Sequence, residues 1–345
     1  MSLQININGR LLGKDTKPFV IAEMSGNHNQ SLDRALEIVQ AAARSGAHAL
    51  KLQTYTADTM TVQGALTISD PNSLWYGREL YDLYKEAYTP WEWHKPIFEL
   101  ATKLGLVCFS SPFDETAVDF LEELNVPFYK IASFENTHHP LLKKVARTGK
   151  PVIMSTGVSS IADIVESVQV LRENGCKELV LLKCTSSYPS TPENTNLYTI
   201  PVLQEIFPDC LIGLSDHTMG VGAAVAAVAL GARVVEKHFT LSRAEGGVDS
   251  AFSLEPSELK MLVEETERAF LSLGGVQLNV QEAEKKSLLF KRSIYVVENI
   301  EEGEVFTEKN IRVIRPGDGM HPKYYEGLVG THTKEAYKKG TPLKL

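Results

Sequence analysis

Between Pro18 and His238 the chain carries eight short apolar runs, and each ends in polar or charged side chains. They are Pro18–Glu23, Ala49–Thr54, Leu106–Ser111, Pro127–Ser133, Pro151–Thr156 and Leu179–Thr185, then two that end at His217 and His238. Short apolar runs bounded by turn residues read as parallel strands buried on both faces. The segments between them have helical spacing. Leu32, Ala35, Leu36, Val39 and Ala43 form one such stripe behind Ser31, a suitable N-cap, and Gly46 stops it. Thr89-Pro-Trp-Glu92 joins a capping-box pair to a proline in the first turn. Further helices run through Glu122, to Gly149 and to Asn174-Gly175, and the last covers Pro256–Leu273. Regular alternation of this kind predicts an α/β chain of the (β/α)8 TIM-barrel class. No GxGxxG turn follows the first strand, which argues against an open doubly wound sheet.

Two stretches depart from the alternation. A polar and aromatic insertion, Tyr55 to Tyr88, has the length of a functional lid or binding loop. After the last helix a linker, residues 274–286, leads to a tail of different composition. There Arg292–Val297 and Ile311–Ile314 read as strands, Glu301–Glu304 as a turn, and Arg315-Pro-Gly-Asp-Gly319 as a break. The expected division is a barrel over 1–280 and a small, mostly β domain over 281–345. The latter is too small for a large core of its own, so it is expected to pack on something else.

Net charge is −8, which argues against general binding to nucleic acid or to an anionic membrane. A phosphate site would have to be built locally. The four cysteines show no CxxC spacing, as suits reduced thiols. The chain begins without a basic-then-apolar signal pattern, and no run is long enough to span a bilayer. A soluble cytoplasmic protein is expected.

Barrels place their chemistry at the carboxyl ends of the strands. Those ends carry Glu23; Lys51 and Gln53; Ser110 and Ser111; Lys130 and Ser133; Ser155 and Thr156; Lys183 and Thr185; Ser215 and His217; Lys237 and His238. Two ammonium groups about 4 Å apart repel by roughly 4 kcal/mol at an effective dielectric near 20. Lys51, Lys130 and Lys183 at one mouth therefore need carboxylates or a bound anion. With hydroxyls from Ser111, Ser133, Ser155 and Ser215 they suit phosphate or carboxylate. The other reading has the lysines reaching past the rim into water. His217 and His238, ending neighbouring strands, suit an open divalent-metal site, or are polar loop residues that follow strands. Glu23, Glu135 and Asp249 are candidate acids or bases, or else partners of the lysines.

Several strings resemble a known family. Ile21-Ala-Glu-Met-Ser-Gly-Asn-His28, Lys51-Leu-Gln-Thr54, Tyr129-Lys-Ile-Ala-Ser133, Leu214-Ser-Asp-His-Thr218 and Glu236-Lys-His-Phe239 are similar to the sialic acid synthases. Members of that family condense phosphoenolpyruvate with an amino-sugar aldehyde. The tail, with Arg292-Ser-Ile-Tyr-Val and Ile314-Arg-Pro-Gly, resembles their antifreeze-like (SAF) domain. Within the family, Tyr88–His94, Phe109–Asp114, Ala132-Ser-Phe-Glu135 and His321–Tyr325 look most like the pseudaminic acid synthases. N-acetylneuraminate enzymes carry a Gly-Ser-Gly-Glu-like segment at Ala132–Glu135 and an Asn at Ser186, which puts N-acetylmannosamine in doubt as substrate.

The resemblance implies a set of roles. His217 and His238 hold a divalent metal, usually Mn2+, with Mg2+ or Co2+ as alternatives. Lys51, Lys130 and Lys183, with Ser111, Ser133, Ser155 and Ser215, hold phosphoenolpyruvate. Glu23 and Glu135 lie near the reacting carbons, Glu23 being first choice to orient the attacking water, and Asp249 binds the sugar. Gln53, Ser186, Tyr188 and Phe290 complete the substrate contacts, and Arg315 reaches into a partner subunit's site in a domain-swapped homodimer. The reaction implied joins phosphoenolpyruvate, water and 2,4-diacetamido-2,4,6-trideoxy-L-altrose with loss of phosphate by C–O cleavage, a transferase chemistry. Trp75, Tyr76, Tyr81 and Tyr84 of the insertion would contact the methyl and acetamido groups, or pack as a lid. Alternatives are legionaminic or N-acetylneuraminic acid synthesis, and a sugar-binding barrel without catalysis.

Overall fold

The apolar runs become strands because their side chains can be buried on both faces of a closed sheet. In the computed structural model, which describes residues 3–344, a short hairpin comes first: β1 (Gln4–Ile7) and β2 (Arg10–Gly13). The barrel strands follow as β3 (Phe19–Glu23), β4 (Ala49–Thr54), β5 (Val107–Pro112), β6 (Tyr129–Ile131), β7 (Val152–Ser155), β8 (Leu179–Cys184), β9 (Leu211–Asp216) and β10 (Val234–His238). They close in the order β10-β3-β4-β5-β6-β7-β8-β9, all parallel. This is the TIM barrel read from the strand–helix alternation.

The helices are α1 (Leu32–Arg44), α2 (Ala57–Met60), α3 (Leu80–Ala87), α4 (Trp91–Lys103), α5 (Glu115–Glu123), α6 (His139–Arg147), α7 (Ile161–Glu173), α8 (Thr199–Ile206), α9 (Gly222–Ala229) and α10 (Pro256–Leu273). Ser31 caps α1, its hydroxyl accepting the Arg34 amide. The capping box read at Thr89 and Glu92 is corrected. Pro90 is the N-cap of α4 and no side chain caps that helix. The Thr89 hydroxyl instead lies 3.3 Å from His28 Nε2. Pro90 holds the chain extended there, so the turn into α4 comes one residue later than the pattern suggests.

Strand side chains alternate between two cores. One set, including Val20, Ala22, Leu50, Leu52, Leu179 and Leu181, packs outward against the helices. The other, including Phe19, Ile21, Ala49, Phe109, Phe128, Ile153, Val180, Leu182 and Val234, fills the barrel. Ile5, Ile7 and Leu12 of the hairpin join this inner set and plug its amino-terminal end. The hairpin lay outside the strand series read from sequence. Gly213 sits where a Cβ would run into the Val234 carbonyl and Leu182, so only glycine lets β9 and β10 approach there.

The barrel unit ends at Gly274, and a second unit begins at Gly275. It pairs β11 (Ser293–Val296) with β12 (Ile311–Ile314) antiparallel, around a small core of Ile294, Val296, Ile300, Phe306, Ile311 and Leu343. Among the described residues no helix is long and apolar enough to cross a membrane.

A buried polar chain ties α4 to the sheet. His94 Nε2 lies 2.8 Å from the Thr54 hydroxyl, itself 2.6 Å from that of Ser110. Burial lowers the His94 and His28 imidazoles to about 4, from an ordinary 6.5. The native state thus binds fewer protons than the unfolded chain between those values. Their contribution is complete above pH 6.5 and is lost as pH falls toward 4. Replacing His94 by Gln is expected to reduce the loss of urea resistance between pH 7 and pH 5 relative to the wild type. An equal loss in both proteins would contradict this account.

Candidate active site

The period-two alternation that builds the inner core also selects what reaches the mouth. Above Phe19 and Ile21 comes Glu23; above Ala49, Lys51 and Gln53; above Phe128, Lys130; above Ile153, Ser155. Above Leu182 comes Cys184, above Leu211 and Gly213 come Ser215 and His217, and above Val234 come Glu236 and His238. A cavity of about 380 Å³ opens among these strand ends. Lys51, Gln53, Lys130, Ser133, Glu135, Ser155, Ser186, Tyr188, Ser215, His217, His238 and Asp249 all line it, as the sequence predicts.

Within the barrel unit three of the predicted site residues do not: Lys183, Glu23 and Ser111. Lys183 has the parity of Leu181 and points to the outer side of β8. There it lies among Thr185, Ser190, Thr195 and Asp216, with Nζ 2.5 Å from the Thr185 hydroxyl. The trio of lysines is therefore a pair. Lys237, on the same outer parity, bonds Asp216 Oδ2 at 2.8 Å and the carbonyls of Thr218 and Gly220. Glu23 is wholly enclosed beside the cavity without lining it. Ser111 is likewise enclosed, its hydroxyl without a hydrogen-bond partner. Of the insertion aromatics, Trp75 and Tyr84 line the cavity, whereas Tyr76 is 60% exposed and Tyr81 bonds Asp58 at 3.0 Å. Phe290 and Arg315 belong to the second unit and are exposed on it.

The residue that sequence reading missed is Glu236. Its Oε1 receives Lys51 Nζ at 2.8 Å and the Ser215 hydroxyl at 3.3 Å, and lies 3.7 Å from Lys130 Nζ. Its Oε2 is buried with no hydrogen-bond partner. Lys51 also pairs with Glu23 at 3.2 Å, and Lys130 donates to Ser155 at 2.7 Å and to the Ile131 carbonyl at 3.1 Å. Burial would raise the Glu236 carboxyl, but the ammonium groups of Lys130 and Lys51 hold it at about 2. Burial lowers Lys130 to about 8. Burial raises Glu23 and Glu135 to about 7, against the pull of the lysines. Counting inward positions along β10 singles out Glu236 over Lys237, and that signal was available in Val234-Val-Glu-Lys-His238.

Smaller features shape the rim. The Gln53 amide donates to Glu23 Oε1 at 2.9 Å and to Ser25 Oγ at 3.1 Å, and Ser25 in turn donates to Asp249. A Cβ at Gly157 would collide with the hydroxyls of Ser133 and Ser186, so glycine lets β7's loop close on them. Phe252, also unanticipated, packs edge-on against His238 at 4.9 Å.

The two imidazoles lie 5.4 Å apart, centroid to centroid. His217 Nδ1 bonds the Thr185 carbonyl at 2.9 Å, which assigns a proton to Nδ1; burial alone would lower this imidazole, but the Cys184 thiol beside it raises it. His238 Nδ1 is buried without a hydrogen-bond partner, 4.0 Å from Asp249 Oδ2. Burial, then His217 and the lysines, push the His238 imidazole well below its ordinary value, so it is the neutral, ligating form. Among the described residues no third His, Cys, Asp or Glu is gathered with them as a metal cluster. The pair fits a divalent ion held by two protein ligands with its other positions open.

A wider groove of about 720 Å³, bordered by Asn8 of the hairpin turn, carries only exposed charges: Lys95, Glu99, Lys103 and Glu123. Its enclosed titratable group is the Cys108 thiol, which burial raises out of the useful range.

A profile of the NeuB family matches residues 38–277, and one of the SAF domain matches residues 291–345. The chain belongs to the NeuB family and carries a SAF domain at its carboxyl end. Its similarity to particular members is high along nearly the whole length. It is 43% identical to a pseudaminic acid synthase of Campylobacter jejuni over 331 residues, 96% of each chain. It is 42% identical to a pseudaminic acid synthase of Helicobacter pylori, over 94% of this chain and 96% of that one. Among solved structures, the N-acetylneuraminic acid synthetase of Leptospira borgpetersenii matches with a TM-score of 0.75 and 32% identity, covering 84% of this chain and 96% of that one. The spore coat polysaccharide biosynthesis protein SpsE of Bacillus subtilis matches with a TM-score of 0.69 and 33% identity, over 99% and 97%.

The parity correction has a direct consequence. A charged hydrogen bond to an anion contributes about 1.5–3 kcal/mol. Lys130→Met is expected to weaken binding of an anion, with inorganic phosphate as the probe, by about tenfold or more in calorimetry. Lys183→Met should change it by less than about twofold. The reverse ranking would show that the outer lysine serves the ligand.

Proposed function

We propose that the chain is a pseudaminic acid synthase, a transferase that condenses phosphoenolpyruvate with 2,4-diacetamido-2,4,6-trideoxy-L-altrose and water. The products are pseudaminic acid and phosphate. The observation that carries this reading is one cavity holding the Lys51–Glu236–Lys130 cluster beside His217 and His238. The 43% identity to a pseudaminic acid synthase over 96% of the chain supports the choice of acceptor.

In the reaction, C3 of phosphoenolpyruvate bonds to the aldehyde carbon, water adds at C2, and phosphate leaves with its bridging oxygen. Lys130 and the hydroxyls of Ser133, Ser155 and Ser215 face the anionic donor as fixed dipoles and charge, so little reorganisation is needed. Lys51 is already balanced by Glu23 and Glu236, and its part is to hold Glu236 in place. A divalent ion, Mn2+ in the first instance, would be held by His217 and His238 and would polarise the acceptor's carbonyl oxygen. Glu236, with a free Oε2 and a low pKa, is suited to orienting water rather than deprotonating it. Glu135, near 7 and with its own Oε2 unpartnered, is matched to moving a proton at neutral pH. Glu23, the first choice from sequence, acts from behind through Lys51 and Gln53. Arg315 and Phe290 of the SAF domain would complete the cavity of a partner subunit in a domain-swapped homodimer, and the enzyme would work in the cytoplasm.

The same chemistry on another acceptor is favoured by the 35% identity to an N,N'-diacetyllegionaminic acid synthase of Campylobacter jejuni. Phosphate release measured with the altrose, legionaminic and N-acetylmannosamine acceptors should be fastest, per unit concentration, with the altrose sugar. Turnover confined to N-acetylmannosamine would sink the assignment. His238→Ala is expected to abolish Mn2+ binding in calorimetry and to cut turnover by at least about a hundredfold, with the thermal melt largely kept. Retained Mn2+ affinity in that variant would remove His238 from the metal site.

A further inference from the structure

The lining of the cavity is sorted by chain segment. The strand ends and the short loops that follow them supply nearly all of its charged and hydrogen-bonding groups. The insertion supplies mostly apolar side chains, Met60, Ile68, Trp75, Leu80 and Leu83 among them, with hydroxyls only from Ser73 and the phenols of Tyr55 and Tyr84. One of these apolar side chains also fastens the insertion down. The Trp75 indole N–H donates to the Val248 carbonyl at 3.0 Å, and its ring lies 6.0 Å from that of Tyr188. Through Trp75 the insertion is tied to the residue preceding Asp249 and to the loop after β8 that carries Tyr188.

We propose that the 55–88 insertion is the acceptor-selecting wall of the site, and that it favours sugars whose exposed carbon bears a methyl group over those with a hydroxymethyl group. Trp75 is a positioning residue that holds this wall against the loops of Tyr188 and Asp249. The inference rests on the reading of the cavity as a synthase site and adds which part of it discriminates. The physical reason is the shortage of partners. A hydroxyl placed against Met60, Ile68, Leu80 and Leu83 gives up its water and finds no donor or acceptor on those four side chains, whereas a methyl group loses nothing and buries apolar area. Apolar pockets discriminate against an added hydroxyl by about a hundredfold at most, so the selectivity will be real and modest.

The test compares kcat/KM for the 2,4-diacetamido-2,4,6-trideoxy acceptor with that for its 6-hydroxy counterpart. The wild type should prefer the deoxy sugar by about ten- to a hundredfold. Ile68→Asn or Leu80→Asn, each offering a polar partner, should lower that ratio at least about fivefold, with KM for phosphoenolpyruvate within about twofold of wild type. Trp75→Ala should raise KM for the acceptor about tenfold while sparing that for phosphoenolpyruvate, and Trp75→Phe, which keeps the ring, should recover most of the loss. An unchanged ratio in both Asn variants, or equal rises in both KM values for Trp75→Ala, overturns the proposal. If the enzyme instead uses N-acetylmannosamine, the assignment of substrate fails. The wall is then tested with that sugar and its 6-deoxy analogue, where the same preference for the deoxy form is expected and a preference for the hydroxylated sugar refutes it.

Discussion

Everything at the mouth of this barrel depends on one carboxylate placed between two buried ammonium groups. Glu236 Oε1 lies 2.8 Å from Lys51 and 3.7 Å from Lys130. Removing one partner from a buried ion pair leaves an uncompensated charge and costs about 3–5 kcal/mol. The cluster is therefore a structural commitment as well as a functional one. Lys51 is satisfied internally by two carboxylates, so the uncommitted charge is that of Lys130, which faces the cavity with a serine hydroxyl and a carbonyl at its back. Lys130, held more loosely to Glu236 at 3.7 Å than Lys51 is at 2.8 Å, is the ammonium group better placed to meet an anion.

The fold was legible because its signals are local. Alternating strands and helices with clear caps and glycine stops define the barrel, and Leu32–Arg44, Ala49–Thr54 and Pro256–Leu273 coincide with their observed limits. The hairpin escaped notice because Gln4–Ile7 and Arg10–Gly13 are only four residues each and owe their order to packing inside the barrel. The site was legible as a set of polar strand ends, yet direction was not read. Lys183 and Glu236 show the difference. Both end apolar strands, but one alternation step separates the residues that face the cavity from those that face the helices. Asp249, Glu135 and Tyr188 sit beyond the strands, where no periodicity announces them; the two carboxylates are candidates by residue type alone, and Tyr188 enters only through family resemblance.

Two kinds of sequence thus meet in one cavity. The strand ends are constrained by the sheet and supply a rigid polar floor, which suits the shared chemistry of the NeuB family. The insertion between β4 and α4 is free of the barrel's hydrogen-bond pattern and supplies much of the apolar lining. Loops carried on a rigid scaffold can change composition without disturbing it. A family that keeps one reaction and varies its acceptor would be expected to vary such a segment first.

The hairpin has a further consequence for traffic through the molecule. Ile5, Ile7 and Leu12 seal the amino-terminal end, so the barrel is a cup rather than a tube. Everything that enters or leaves must use the same doorway between the loops. Most of the charged groups sit on the strand ends and their loops, and the insertion adds a largely apolar wall. A ligand seated on the floor is therefore covered by whatever arrives second, and the last molecule in stands in the way of the first one out.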